Sequence, residues 1–236
     1  IFCNTRLMSF SSIKHLIFIS LIVLLSSQLS AGDGFPVWDN ANLFKQDLKR
    51  ATLVTNLPNI TGSDHFIGVQ FTGSHIVSNS GSSQRMPAAR LSMYPNPGYN
   101  LWVQFARWPG SNPNFSVGTG LQVEFKGEDL QRRQAIGISW NSIFDDGYMQ
   151  RDISIHGLYA YASKKLNLGV IAIIDLHHLI VEDGNGIPDY DETILLAVPY
   201  ISWLVKETFR VSVMVPYNST GPGIALGSEL LIGKRK

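Results

Sequence analysis

Val117, Thr119, Leu121, Val123 and Phe125 alternate with Gly118, Gly120, Gln122 and Glu124, a period of two that suits a strand and not a helix. The pattern returns in Ile153–Tyr161, where Ile153, Ile155, Tyr159 and Tyr161 oppose Asp152, Ser154 and His156. In Asn167–Leu176, Leu168, Val170, Ala172, Ile174 and Leu176 alternate with Asn167, Gly169, Ile171, Ile173 and Asp175. Similar runs cover Phe66–Val77, Ala88–Tyr94, Tyr99–Trp108, Ala135–Ile143, Thr193–Ser202, Phe209–Tyr217 and Gly223–Gly233. The spacing predicts an all-β chain of about ten strands (eight to twelve). Most runs are near the ~9–11 residues that a tilted strand needs to cross a bilayer.

The connections predict how the strands are joined. Longer polar loops are expected at Ser78–Arg85, Gly110–Phe115, Phe144–Arg151, Val181–Glu192 and Asn218–Pro222. Tighter turns are expected at Pro95–Gly98, Ser163–Leu166 and Trp203–Lys206, with Gly127–Arg133 a longer member of that set. Long and short connections in alternation describe an antiparallel up-and-down barrel with both termini at the short-turn end.

A soluble barrel or sandwich would alternate too, with its apolar faces turned inward. Composition separates the two. Charged residues are 16% of this chain, against about 25% in ordinary soluble domains. Aromatic residues also fall near strand ends: Phe66, Tyr94, Tyr99, Trp108, Phe125, Trp140, Tyr159, Tyr161, Trp203, Phe209 and Tyr217. Such girdles belong at membrane interfaces. The reading is a transmembrane β-barrel.

The N-terminal region reads differently. Met8 and Lys14 precede an apolar run from Leu16 to Leu25, then the small and polar residues Ser26 to Gly32. Residues 8–32 are therefore expected to be a secretory signal peptide, and residues 1–7 upstream read-through. Residues 33–64 lack the alternation and are expected to form a periplasmic lead-in or partial plug, leaving 65–236 as the barrel. Without the leader, acidic and basic residues nearly balance, which gives no electrostatic case for nucleic acid. The single cysteine, Cys3, lies before the leader, so the barrel has no disulfide, thiolate metal site or cysteine nucleophile.

From His65 to Gly233 the chain resembles small outer-membrane β-barrel proteins of Gram-negative bacteria, including barrel families of unknown function. The alternation, the loop rhythm and segments such as Glu192-Thr-Ile-Leu-Leu-Ala-Val-Pro-Tyr200 carry the resemblance. It implies a porin-like protein of the outer membrane whose partners are membrane lipid, lipopolysaccharide and the barrel-assembly machinery. Such proteins usually end on an aromatic residue that this machinery reads. Here the last strand ends Leu230-Leu-Ile-Gly-Lys-Arg-Lys236.

With apolar faces toward lipid, a polar network is expected in the lumen: Gln70, Arg90, Gln104, Gln122, Glu124, Asn141, Asp152, His156, Asp175, His177, Arg210 and Glu229. In a narrow barrel these groups pair with one another or with water. Calcium is the one cofactor candidate. Aligned to the twelve-residue calcium loop, Asp183, Asn185, Gly186 and Glu192 take positions 3, 5, 6 and 12, with Asp189 a further oxygen donor, while position 1 is Val181. A hydrophilic turn would use the same Asn, Gly and Pro residues.

For an enzyme, the candidates are Ser154 with His156, Asp175 with His177, and His178. No nucleophile elbow or zinc-protease helix accompanies them, and no catalytic activity is expected. The leading expectation is a structural barrel or narrow passive small-solute channel. A secreted calcium- or ligand-binding β-protein and an outer-membrane lipid or peptide hydrolase are the alternatives.

Overall fold

The computed structural model describes residues 64–77, 83–108, 114–126, 131–145, 148–163, 165–181, 190–219 and 221–235. The signal peptide and almost all of the lead-in lie outside them. The described strands are β1 (His65–Val77), β2 (Ser83–Met93), β3 (Tyr99–Trp108), β4 (Asn114–Lys126), β5 (Arg132–Asp145), β6 (Tyr148–Ala162), β7 (Leu166–Val181) and β8 (Tyr190–Lys206). Then come β9 (Phe209–Met214), β10 (Tyr217–Asn218), β11 (Gly221–Pro222) and β12 (Ile224–Lys234). Each strand from β1 to β8 pairs antiparallel with the next, and β12 pairs with both β9 and β1. The sheet closes on itself. Together β9 and β10 form the ninth stave, and β11 and β12 the tenth.

The two broken staves have a local cause. Pro216 has no N–H to give to a ladder, and it falls between β9 and β10. Val215 N still donates to Pro199 O at 2.9 Å, and Gly223 N to Pro216 O at 2.7 Å, so the staves remain joined across the break.

All ten alternating segments are strands, but the strands outrun the alternation. β2 starts at Ser83, not Ala88, and only residues 146–147 separate β5 from β6, where a loop over Phe144–Arg151 was expected. The turn expected at Trp203–Lys206 is strand, and the chain reverses at Glu207–Thr208. A register shift between Leu204 and Lys206 explains this miss. A bulge ends the regular alternation before it ends the strand. The staves are unequal as a result: β6, β7 and β8 have 15, 16 and 17 residues, and β3 has 10. At about 3.3 Å per residue, one wall is roughly 20 Å longer along its strands than the other.

Faces follow the pleat. Ile232, Ile67, Met93, Leu101, Leu121, Ile138, Ile155, Ile174 and Leu195 are consecutive partners from strand to strand. Every one of them is an exposed apolar side chain. They form a row around the outside that water would not solvate favourably and lipid would. The inside is divided. Ile171, Ile173, Ile194, Leu196, Val198 and Leu158 pack as a buried apolar cluster on the long wall. Much of the remaining interior is polar, with Gln70, Arg90, Gln104, Gln122 and Asn141 buried.

Lumen glycines make this packing possible. A Cβ on Gly120 would stand 2.1 Å from the Trp102 ring, and one on Gly137 would stand 2.3 Å from His156 Nε2. Gly120→Val is therefore expected to destabilise the barrel by about 1–3 kcal/mol through overpacking. Gly157, with nothing within 4 Å of its would-be Cβ, is the control. Gly157→Ala should stay within about 0.5 kcal/mol of the parent. Urea midpoints in one lipid composition would test the contrast, and equal effects would refute the steric account.

Candidate functional site

Three polar groups line the lumen from the end that carries the termini to the opposite, loop end. At the first end Glu229 accepts hydrogen bonds from Tyr94 Oη at 2.7 Å and Arg210 Nη1 at 3.0 Å. Arg133 pairs there with Glu124 at 3.1 Å. A cavity of about 270 Å³, lined in part by His65, Arg133, Asn167 and Arg210, opens at this end.

Midway, Arg90 donates to Gln104 Oε1 from Nε at 3.0 Å and lies 5.3 Å above the Trp102 ring. Trp102 meets the His156 ring at 5.9 Å, and His156 Nε2 lies 3.3 Å from Gln122 Oε1. Gly120 and Gly137 leave the room that the Trp102 and His156 rings occupy. A gap of about 10 Å³ remains beside Arg90, Trp102 and Ser139, close to the room one water needs.

The third group lies toward the loop end, on the long wall. Ladder register puts Asp152 opposite His177 and Ser154 opposite Asp175. His177 Nδ1 lies 2.7 Å from Asp152 Oδ1, and Ser154 Oγ donates to Asp175. Gln150 Nε2 donates to both oxygens of Asp152, at 2.8 and 3.1 Å. Asp152 and Asp175 are 0% exposed and His177 is 1% exposed. One ligand atom from each lies within 4.8 Å of the others.

The twelve residues of the sequence-derived network all have inward-facing positions. Eleven are buried, and the Glu124 side chain is 5% exposed. They divide among the three groups, with Gln70 opposite Arg90 and Glu229 in the ladders and Asn141 opposite Asp152. Of the calcium-loop residues, Asp183, Asn185 and Asp189 lie outside the described residues. Glu192 is in β8, directly opposite His177.

The enzyme candidates do not assemble. Ser154 bonds to Asp175 while His156 faces Gln122, and His178 stands on the outer face beside Asp191 at 2.5 Å. Asp175 and His177 do share a cluster, one with no exposed surface for a substrate to reach.

Sequence reasoning missed Gln150, which fell in the expected loop before β6. Tyr94 was read as a girdle aromatic and is 1% exposed, with its hydroxyl on Glu229. Parity held the signal: Met93 faces out, so its neighbour faces in.

A closed antiparallel barrel of ten staves, apolar outside and largely polar within, is the architecture of a transmembrane β-barrel. No family model matches the sequence, and no curated protein is similar to it in sequence. Among solved structures, the chain is similar to the Acinetobacter baumannii outer membrane protein Omp33, at 7% identity over 71% of this chain and 98% of that one, with a TM-score of 0.38. It is similar to the KdgM porin in complex with disordered oligogalacturonate, at 9% identity over 69% and 98%, with a TM-score of 0.41. A designed transmembrane β-barrel is similar at 12% identity over 75% and 100%, with a TM-score of 0.33. The class rests on the closed ladder and the apolar outer row, independently of these likenesses.

Proposed function

We propose that this chain is an integral outer-membrane barrel, exported by its N-terminal signal peptide, with a structural and non-enzymatic role. The observation that carries the reading is the row of exposed apolar side chains from Ile232 to Leu195, which follows the hydrogen-bond register from stave to stave. A soluble β-domain would hide those side chains, and this barrel presents them. Lipid and lipopolysaccharide are the partners such a face requires. The assembly machinery is the partner that folding there requires.

The packed bore supports a structural core over a wide pore. Trp102, His156 and Arg90 cross its centre, and the apolar cluster fills the long wall. A narrow conduit is the second reading. Asn100, Ser116, Ser139 and Asn141 carry buried polar atoms with no hydrogen-bond partner among the described residues, groups that a file of water would satisfy.

Heat modifiability tests the membrane reading. Detergent-extracted protein should migrate faster on a denaturing gel before boiling than after it. Release into detergent-free buffer, with no shift on boiling, would overturn it. In planar bilayers the folded barrel should show no wide ohmic steps, and steps of porin size would show the bore to be open.

A further inference from the structure

The loop-end cluster holds more buried charge chemistry than a structural plug needs. Asp152 and Asp175 have no solvent contact, and one ligand atom of each lies within 4.8 Å of the other's and of a His177 ring nitrogen. Buried charge is tolerated when paired or bound to a metal. Beside them, Gln150 is fully buried and held on Asp152 through Nε2, while its Oε1 has no hydrogen-bond partner. Among the described residues that oxygen has no other partner, which leaves it as a further oxygen donor beside Asp152.

We propose that Asp152, Asp175 and His177 form a binding site for a divalent transition-metal cation, with Gln150 completing its surroundings. Two carboxylates and an imidazole are a mixed oxygen and nitrogen set. The imidazole favours zinc-like ions over calcium and magnesium, which take oxygen. Ligand atoms within 4.8 Å need only small side-chain rotations to reach one ion at about 2.0–2.2 Å. Ser154, bonded to Asp175, orients that carboxylate. Glu192, opposite His177 and partly exposed, gives the ion a carboxylate at its approach from the loop end. The site depends on the ladder register alone and not on what surrounds the barrel.

The test uses the full chain without a histidine tag, folded in detergent and stripped with a chelator. Calorimetric titration with zinc chloride should give one ion per barrel, and calcium chloride should not compete at equal concentration. Asp175→Asn and His177→Gln should each weaken zinc by at least about 100-fold. His178→Gln, on the outer face, should leave it unchanged. Unboiled gel mobility reports folding for each variant. Cobalt(II) added to the parent gives a readout that needs no variant, visible ligand-field bands of a nitrogen- and oxygen-bound site. No zinc uptake by the folded parent, binding that survives both variants, or binding lost with His178 would each overturn the proposal.

Discussion

Replacing Arg210 with methionine is expected to lower the unfolding free energy by about 3–5 kcal/mol, the range for removing one partner of a buried ion pair. Arg210 and Glu229 face each other across the β9–β12 ladder, 3.0 Å apart, with side chains 10% and 4% exposed. Methionine fills the volume but leaves the Glu229 carboxylate with Tyr94 Oη and without the guanidinium that bonds to it. Most of the loss is then the cost of a desolvated charge deprived of its bonded partner, not the worth of the bond itself. The double change Arg210→Met with Glu229→Gln should recover most of it, because a neutral amide removes the stranded charge. Urea unfolding in lipid vesicles, followed by tryptophan fluorescence, would measure all three chains. A single-variant loss below about 1 kcal/mol would mean that water reaches Glu229, as expected of a surface pair.

The second large effect belongs to the outer face. Ile174 is central in β7, exposed, and lies in the ladder between Ile155 and Leu195. Ile174→Arg should destabilise the vesicle-embedded barrel by about 2–4 kcal/mol, the cost of a guanidinium near the bilayer midplane. The same change near a water-exposed strand end should cost about 0–1 kcal/mol. Leu166, the first residue of the same strand and exposed on the same face, supplies that comparison. Depth dependence is the informative part. A soluble barrel with the same side chains on its surface would accept arginine at either position almost neutrally, and equal small effects would sink the membrane placement.

Much of this fold was legible because the pleat leaves its period in the sequence wherever the two faces meet different surroundings. Val117 to Phe125 shows it clearly, with lipid-facing Leu121 and Phe125 against lumen-facing Gly120 and Gln122. Where both faces are apolar the period fades. Ile171 and Ile173 point inward into the buried cluster, so β7 reads as a nearly unbroken apolar run. Strand ends were harder still. Ser83 to Arg85 and Gln150 continue the ladder beyond the alternating stretch, where polar residues suit either face.

The loop-end cluster was legible as a set of polar lumen residues but not as a cluster. Which carboxylate meets which imidazole depends on the register of β6 against β7, and register is a property of two strands that neither shows alone. Asp175 and His177, two apart on one face, were visible as neighbours. Asp152 beside His177, and Ser154 beside Asp175, were not.

The unequal hold on β12 determines where this barrel would come apart. On one side β12 is laced to β1 from His65–Lys234 to His75–Ile224. On the other, its ladder with β9 runs only from Phe209 to Met214, and the prolines and Gly223 leave gaps beyond it. Unpaired backbone in hydrocarbon is costly, so the Phe209–Met214 seam is the natural last closure during insertion and the first opening under load. The weak joint is therefore internal to the C-terminal hairpin, and β1 and β12, far apart in sequence, share a longer unbroken ladder than the final two staves do.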